Sequence, residues 1–138
     1  PEVDKTRVTV TSVSGILTLA GHGLEGEIKE AKGDLEGAIA SYLLAVELED
    51  KGNYTEPPAW AQPMRHYLGA ALLKAGNPEE AEKIYRRDLR WNAENGWSLY
   101  GLHESLAAQG KTEQAAEAFA RYEAAWKHSD TALTASRK

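Results

Sequence analysis

The sequence predicts an all-α fold of three helix–turn–helix units, and three observations carry that prediction. The chain is self-similar: Ala75-Gly76-Asn77-Pro78-Glu79-Glu80-Ala81-Glu82-Lys83-Ile84-Tyr85 aligns without a gap with Gln109-Gly110-Lys111-Thr112-Glu113-Gln114-Ala115-Ala116-Glu117-Ala118-Phe119, 34 residues on. A third copy, Lys32-Gly33-Asp34-Leu35-Glu36-Gly37-Ala38-Ile39-Ala40-Ser41-Tyr42, lies 43 residues before the middle one. Apolar residues recur at helical spacing on both sides of each repeated glycine. Helix-capping residues, Asp34 and Asn77, follow the glycine in the first two copies.

Taken in order, unit 1 (residues 16–52) opens with a helix whose apolar positions are Leu17, Gly21, Leu24, Ile28 and Ala31. It breaks at Gly33, restarts at the cap Asp34, and continues through Leu35, Ala38, Ile39, Tyr42 and Val46. An insertion (53–61) holds the stiff, aromatic run from Asn53 to Trp60, with Tyr54, Pro57 and Pro58. Unit 2 (62–95) carries Met64, Tyr67, Leu68, Ala71, Leu72 and Ala75 up to Gly76. Asn77 is expected to cap the next helix, with Pro78 at its first position and Glu80 completing a capping box. That helix should bury Ala81, Ile84, Tyr85 and Leu89 and pair Glu79 with Lys83 and Glu82 with Arg86. Unit 3 (96–129) repeats the plan with Leu99, Leu102 and Leu106, a break at Gly110, then Ala115, Phe119 and Tyr122. The tail, 130–138, has no clear amphipathic capping helix, so the end of the array is expected to be exposed.

The 138 residues contain 42% hydrophobic and 27% charged side chains, the balance of a globular chain. With no cysteine, disulfides, thiolate metal sites, iron–sulfur clusters and cysteine nucleophiles are all excluded. Sixteen basic against 21 acidic residues, a net charge of −5, argue against nucleic acid as the partner. The stripe Lys83, Arg86, Arg87, Arg90 is interleaved with Glu79, Glu80, Glu82 and Asp88 and reads as an ordinary solvated face. The most apolar stretch, Val13 to Ala20, is far too short to span a membrane, and a cytoplasmic location is the default expectation.

Motifs for catalysis are sparse. Gly21-His22-Gly23-Leu24-Glu25-Gly26 matches a dinucleotide-binding pattern, which would need a strand ending at Ala20 and a helix from Gly26. The four histidines show no metal-ligand spacing, and no serine stands in a nucleophile-elbow context. No cofactor or metal is expected.

The period of 34, with Leu68-Gly69, Leu72, Ala81 and Tyr85 in unit 2, resembles the tetratricopeptide repeat (TPR). Unit 3 keeps Leu102, Ala115 and Phe119. Unit 1 keeps Gly26, Ala38 and Tyr42, with Leu24 and Ile28 one place early. The run Glu56-Pro57-Pro58-Ala59-Trp60 … Pro63 … Leu68-Gly69-Ala70-Ala71-Leu72-Leu73, with Asp88-Leu89 and Asn95-Gly96-Trp97-Ser98-Leu99, is similar to the carboxy-terminal section of larger bacterial TPR proteins without an established activity. The resemblance implies a right-handed α-superhelix, an α–α solenoid, acting as a non-catalytic protein-interaction module. It places Glu27, Glu30, His66, Trp97, Tyr100 and Glu104 on a concave groove that receives a peptide or partner segment, the alternative for Trp97 and Tyr100 being to pack against the next unit. The stiff, aromatic insertion with Tyr54 and Trp60 either braces the two units it joins or adds a wall to that groove. TPR domains that grip acidic chaperone tails use Lys, Arg and Asn at groove positions where Glu27, Tyr67, Trp97 and Gly101 stand here. A basic or apolar protein ligand is therefore expected, and no nucleic acid or membrane. The alternatives are a self-assembling (homo-oligomeric) element or a carboxy-terminal fragment of a longer scaffold, and, more remotely, a small nucleotide-cofactor enzyme built on Gly21–Gly26.

Overall fold

The computed structural model describes residues 7–8, 11–52 and 62–137. Among them are six α-helices: α1 (Val13–Ala31), α2 (Leu35–Lys51), α3 (Met64–Lys74), α4 (Pro78–Trp91), α5 (Gly96–Ala108) and α6 (Thr112–Trp126). Ahead of them, β1 (Arg7–Val8) and β2 (Thr11–Ser12) form a minimal antiparallel pair in which Arg7 faces Ser12. The chain divides into two compact units, Pro1–Met64 and Arg65–Lys138. Tyr54 and Trp60 of the insertion lie outside the described residues.

The repeat is written most plainly in the turns. Gly33, Gly76 and Gly110 have φ of +83°, +77° and +73°, the left-handed region that a side chain disfavours. In each, the glycine N–H and the next residue's N–H return to carbonyls of the preceding last turn. The second of these bonds runs Asp34 to Lys29, Asn77 to Leu72 and Lys111 to Leu106, at 2.9–3.0 Å. One local device thus ends α1, α3 and α5 and aims the next helix back. The restart differs from copy to copy. Asp34 accepts from the Gly37 N–H at 2.9 Å, whereas Asn77 makes no side-chain cap bond. Glu80, expected in a capping box with Asn77, instead binds Lys83 at 2.6 Å, the partner expected for Glu79.

In the first unit, the alanine and the aromatic four residues later are both fully buried, as Ala38 and Tyr42 on α2. The facing side of α1 is made of Leu19, Gly23, Gly26 and Glu30. A Cβ at Gly26 would lie 2.4 Å from Tyr42 Cε1, so only glycine lets this ring lie flat on α1. Leu17, Leu24 and Ile28, expected on the inner face, are 60%, 60% and 46% exposed. The correction is a shift of two positions, about 200° around a helix. Close backbone approach at the glycines, with Tyr42 and Met64 filling the space, outweighs burial of the larger aliphatic stripe. The same helix corrects the dinucleotide expectation. No strand ends at Ala20; Gly21 to Gly26 lie inside one continuous helix, where backbone N–H groups are committed to helical bonds.

In the second unit the core is Leu68, Ala71, Leu72, Ala81, Tyr85, Leu99, Leu102, Leu106, Ala115, Ala118 and Tyr122. Ala81 and Tyr85 are again fully buried, and Asp88 joins them on the inner face of α4. Ile84, Leu89 and Phe119 are only half-buried. On α4, Glu82 gathers Arg86 Nε at 2.7 Å, Lys111 Nζ at 2.8 Å and Gln109 Nε2 at 2.8 Å, tying α4 to the α5–α6 turn. Burial alone would raise the Glu82 carboxyl, but the hydrogen bonds from Lys111, Arg86 and Gln109 prevail and hold it at about 2, below its ordinary 4.5. A depressed folded-state value stabilises the fold above the ordinary value and loses that contribution as pH falls through 4.5 toward 2. Urea melts of the wild type and Glu82→Gln are therefore expected to differ by about 1–3 kcal/mol at pH 7 and to converge near pH 2. A gap that persists unchanged at low pH would contradict this.

Candidate binding face of the second unit

Three helices of the second unit are locked by a buried polar cluster. Asp88 on α4 accepts from Ser98 Oγ on α5 at 2.6 Å, from His66 Nε2 on α3 at 3.3 Å, and from Asn92 Nδ2 at 2.9 Å. His66, Asp88 and Ser98 are each 1% exposed or less. Burial alone would raise the Asp88 carboxyl, yet the His66 and Ser98 hydrogen bonds keep it below its ordinary value. Serine, histidine and aspartate meet here in the wrong order for nucleophilic catalysis. The carboxylate sits between the hydroxyl and the ring, and the histidine has no hydrogen bond to the serine it would need to deprotonate. The cluster is a clamp, and His66 is a core residue rather than the groove residue that was expected.

A second device threads Tyr85 between α3 and α5. A Cβ at Gly69 would lie 2.3 Å from Tyr85 Cζ, and one at Gly101 would lie 2.2 Å from the same atom. Both glycines therefore let the two helices close on the ring. The hydroxyl reaches past them to hydrogen-bond Ser136, in the segment that follows α6.

That segment, 127–137, contains neither helix nor strand and folds back over the unit. Trp126 Nε1 donates to the Thr131 carbonyl, and the Leu133 N–H reaches the Tyr122 hydroxyl at 3.4 Å. Leu133 is buried with Leu99 and Tyr122, flanked by Trp97, Tyr100 and Trp126. Ser136 is 3% exposed, and the Arg137 guanidinium lies 5.4 Å from the centre of the Tyr67 ring. The segment runs from α6 past Tyr85 to α3. The stretch in which the sequence offered no capping helix thus covers part of the second unit.

The remaining expected groove residues fall as follows. In the first unit Glu27 is exposed, while Glu30 is buried and accepts from the Tyr42 hydroxyl at 3.2 Å. In the second unit Trp97 and Tyr100 are half-buried, packed edge-on against Trp126 at 5.5 Å and Tyr122 at 5.3 Å. Glu104 is exposed one turn beyond Tyr100. The structure thus brings Trp97 and Tyr100 together with Leu133 in one aromatic cluster. What sequence reasoning missed is the segment after α6: Leu133 in the aromatic cluster, Ser136 on the Tyr85 hydroxyl and Arg137 on the Tyr67 ring. One signal was available: Leu133 is the lone large aliphatic residue in an otherwise polar stretch. Among the described residues no group of three potential ligands could hold a metal ion, and no helix is long and apolar enough to cross a membrane. A scan of the chain against protein-family models matches none, and a comparison with curated proteins yields no match.

Proposed function

We propose that this chain is a non-catalytic, cofactor-free interaction module of the TPR type, working in the cytoplasm. Its hairpins form successive turns of a right-handed α-superhelix, and the α3–α5 face of its second unit receives a short protein segment. The observation that carries the reading is that a piece of irregular chain already lies on that face. Trp126 and Tyr122 of α6 hold its main chain through two hydrogen bonds, and three separated side-chain contacts seat it on Leu99 of α5, Tyr85 of α4 and Tyr67 of α3, which is how peptide grooves hold their ligands. The turns at Gly33, Gly76 and Gly110 support the repeat assignment. Titrating peptides of mixed composition into the ¹⁵N-labelled protein should shift amides of α3, α5 and residues 131–137. Tyr67→Ala should weaken any peptide that does so by about tenfold, the loss of one aromatic anchor. Shifts confined to the first unit, or none with any peptide, would refute the groove.

A second reading, self-assembly, is favoured by the exposed stripe Leu17, Leu24 and Ile28 on α1, whose spacing of seven and four is that of a helix–helix seam. If it holds, light scattering finds a dimer that Leu24→Glu with Ile28→Glu converts to monomer. A wild type that stays monomeric at high concentration removes this reading.

A further inference from the structure

The residues now lying on the α3–α5 face say what chemistry that face selects. Between Thr131 and Arg137, the side chains of Thr131, Ala132, Thr134 and Ala135 are exposed, while Leu133 and Ser136 are buried. Two pockets three residues apart are therefore filled. One is the aromatic well of Leu99, Tyr122, Trp97 and Trp126; the other is the Tyr85 hydroxyl between Gly69 and Gly101. The residue after the second pocket is a cation on the face of Tyr67. The Trp126 and Tyr122 bonds go to the main chain and do not depend on the ligand's side chains. Burial pushes the Tyr85 hydroxyl above its ordinary value, so it stays neutral and can give or take a hydrogen bond from an alcohol.

We propose that the α3–α5 face is a site for short segments of the pattern leucine, two variable residues, serine, arginine, and that residues 133–137 occupy it in cis as a competing pseudo-ligand. This rests on the groove reading above and names its ligand class. The hold of the segment is weak by construction. One buried leucine, one hydroxyl pair, one cation on a ring and two main-chain hydrogen bonds are set against ordering about ten residues that form no secondary structure. It competes because it is tethered: a short linker presents it at an effective concentration of roughly millimolar. A partner carrying the same pattern must outbid that concentration, which sets a threshold for capture and keeps the aromatic well covered until a partner arrives.

The test uses the full chain and, as probe, a labelled peptide of residues 130–138 followed by fluorescence anisotropy. The wild type should bind micromolar probe poorly. The full chain carrying Leu133→Asp and Arg137→Glu, with its own segment released, should bind it at least tenfold more tightly. Adding Tyr85→Phe to that variant should weaken the probe about fivefold, as should Ser→Ala in the peptide. Equal binding by the wild type and the released variant would overturn the in-cis occupancy. No binding by a folded released variant would overturn the ligand class. In that case, α3 and α5 amide shifts with unrelated peptides leave the groove standing, and their absence removes both. Should the released variant not fold, hydrogen exchange in the wild type decides. The Leu133 amide is expected to exchange far faster than the core amide of Leu102; exchange of both only through global unfolding would make the segment an integral part of the core and overturn the proposal.

Discussion

Gly101→Ala is expected to destabilise the second unit by about 3 kcal/mol, more than an added methyl group costs at most helix positions. The new Cβ would stand 2.2 Å from Tyr85 Cζ, 2.4 Å from Cε1 and 2.7 Å from Cε2. The ring cannot retreat, because Gly69 of α3 closes on the same carbon from its own side and Tyr85 has no exposed surface. Relief requires α3 and α5 to separate, which strains the His66–Asp88–Ser98 clamp that joins the same helices. Gly21→Ala is the control. It lies in the body of α1 with nothing within 4 Å of the added carbon, so it should gain the helix propensity of alanine, about 0.5–1 kcal/mol. Urea denaturation of both variants reads the sign directly. A neutral Gly101→Ala would show that the ring is not gripped.

Removing the clamp should be equally severe. Asp88→Ala leaves the Ser98 hydroxyl, the His66 Nε2–H and the Asn92 amide without their acceptor, two of them fully buried, and is expected to cost about 3–5 kcal/mol. Asp88→Asn keeps the volume but turns one acceptor into a donor facing other donors, costing about 2–3 kcal/mol. The pH dependence has a definite sign. The folded carboxyl lies below its ordinary value, so its stabilisation is complete above that value and is lost as pH falls through the folded one. The gap between wild type and Asp88→Asn should therefore narrow in urea melts below about pH 4. A gap that widens with acid would mean that the carboxylate is not the stabilising form.

The helix pattern was largely legible because it rests on local chemistry. The spacing of Gly33, Gly76 and Gly110, the cap at Asp34, and the alanine–tyrosine pairs at 38/42 and 81/85 act within one or two turns of chain. The binding face was legible only in fragments. Trp97 and Tyr100 could be named as aromatic anchors, but their partners Trp126 and Tyr122 stand on another helix. His66 could be given an address in the repeat, and the address was wrong because a carboxylate 22 residues away draws it inward.

The sequence by itself determined that this chain is a series of helical hairpins, since positive φ at a glycine and apolar spacing of 3.6 are properties of neighbouring residues. Tertiary structure alone decided three things. It chose the glycine face of α1 over the leucine face, because closeness to Tyr42 is measured between helices. It turned Asp88 from a solvated charge into a buried hub, because its donors come from α3 and α5. It laid residues 131–137 across Tyr122, Tyr85 and Tyr67, because a segment without periodicity carries no local signal of what it will touch.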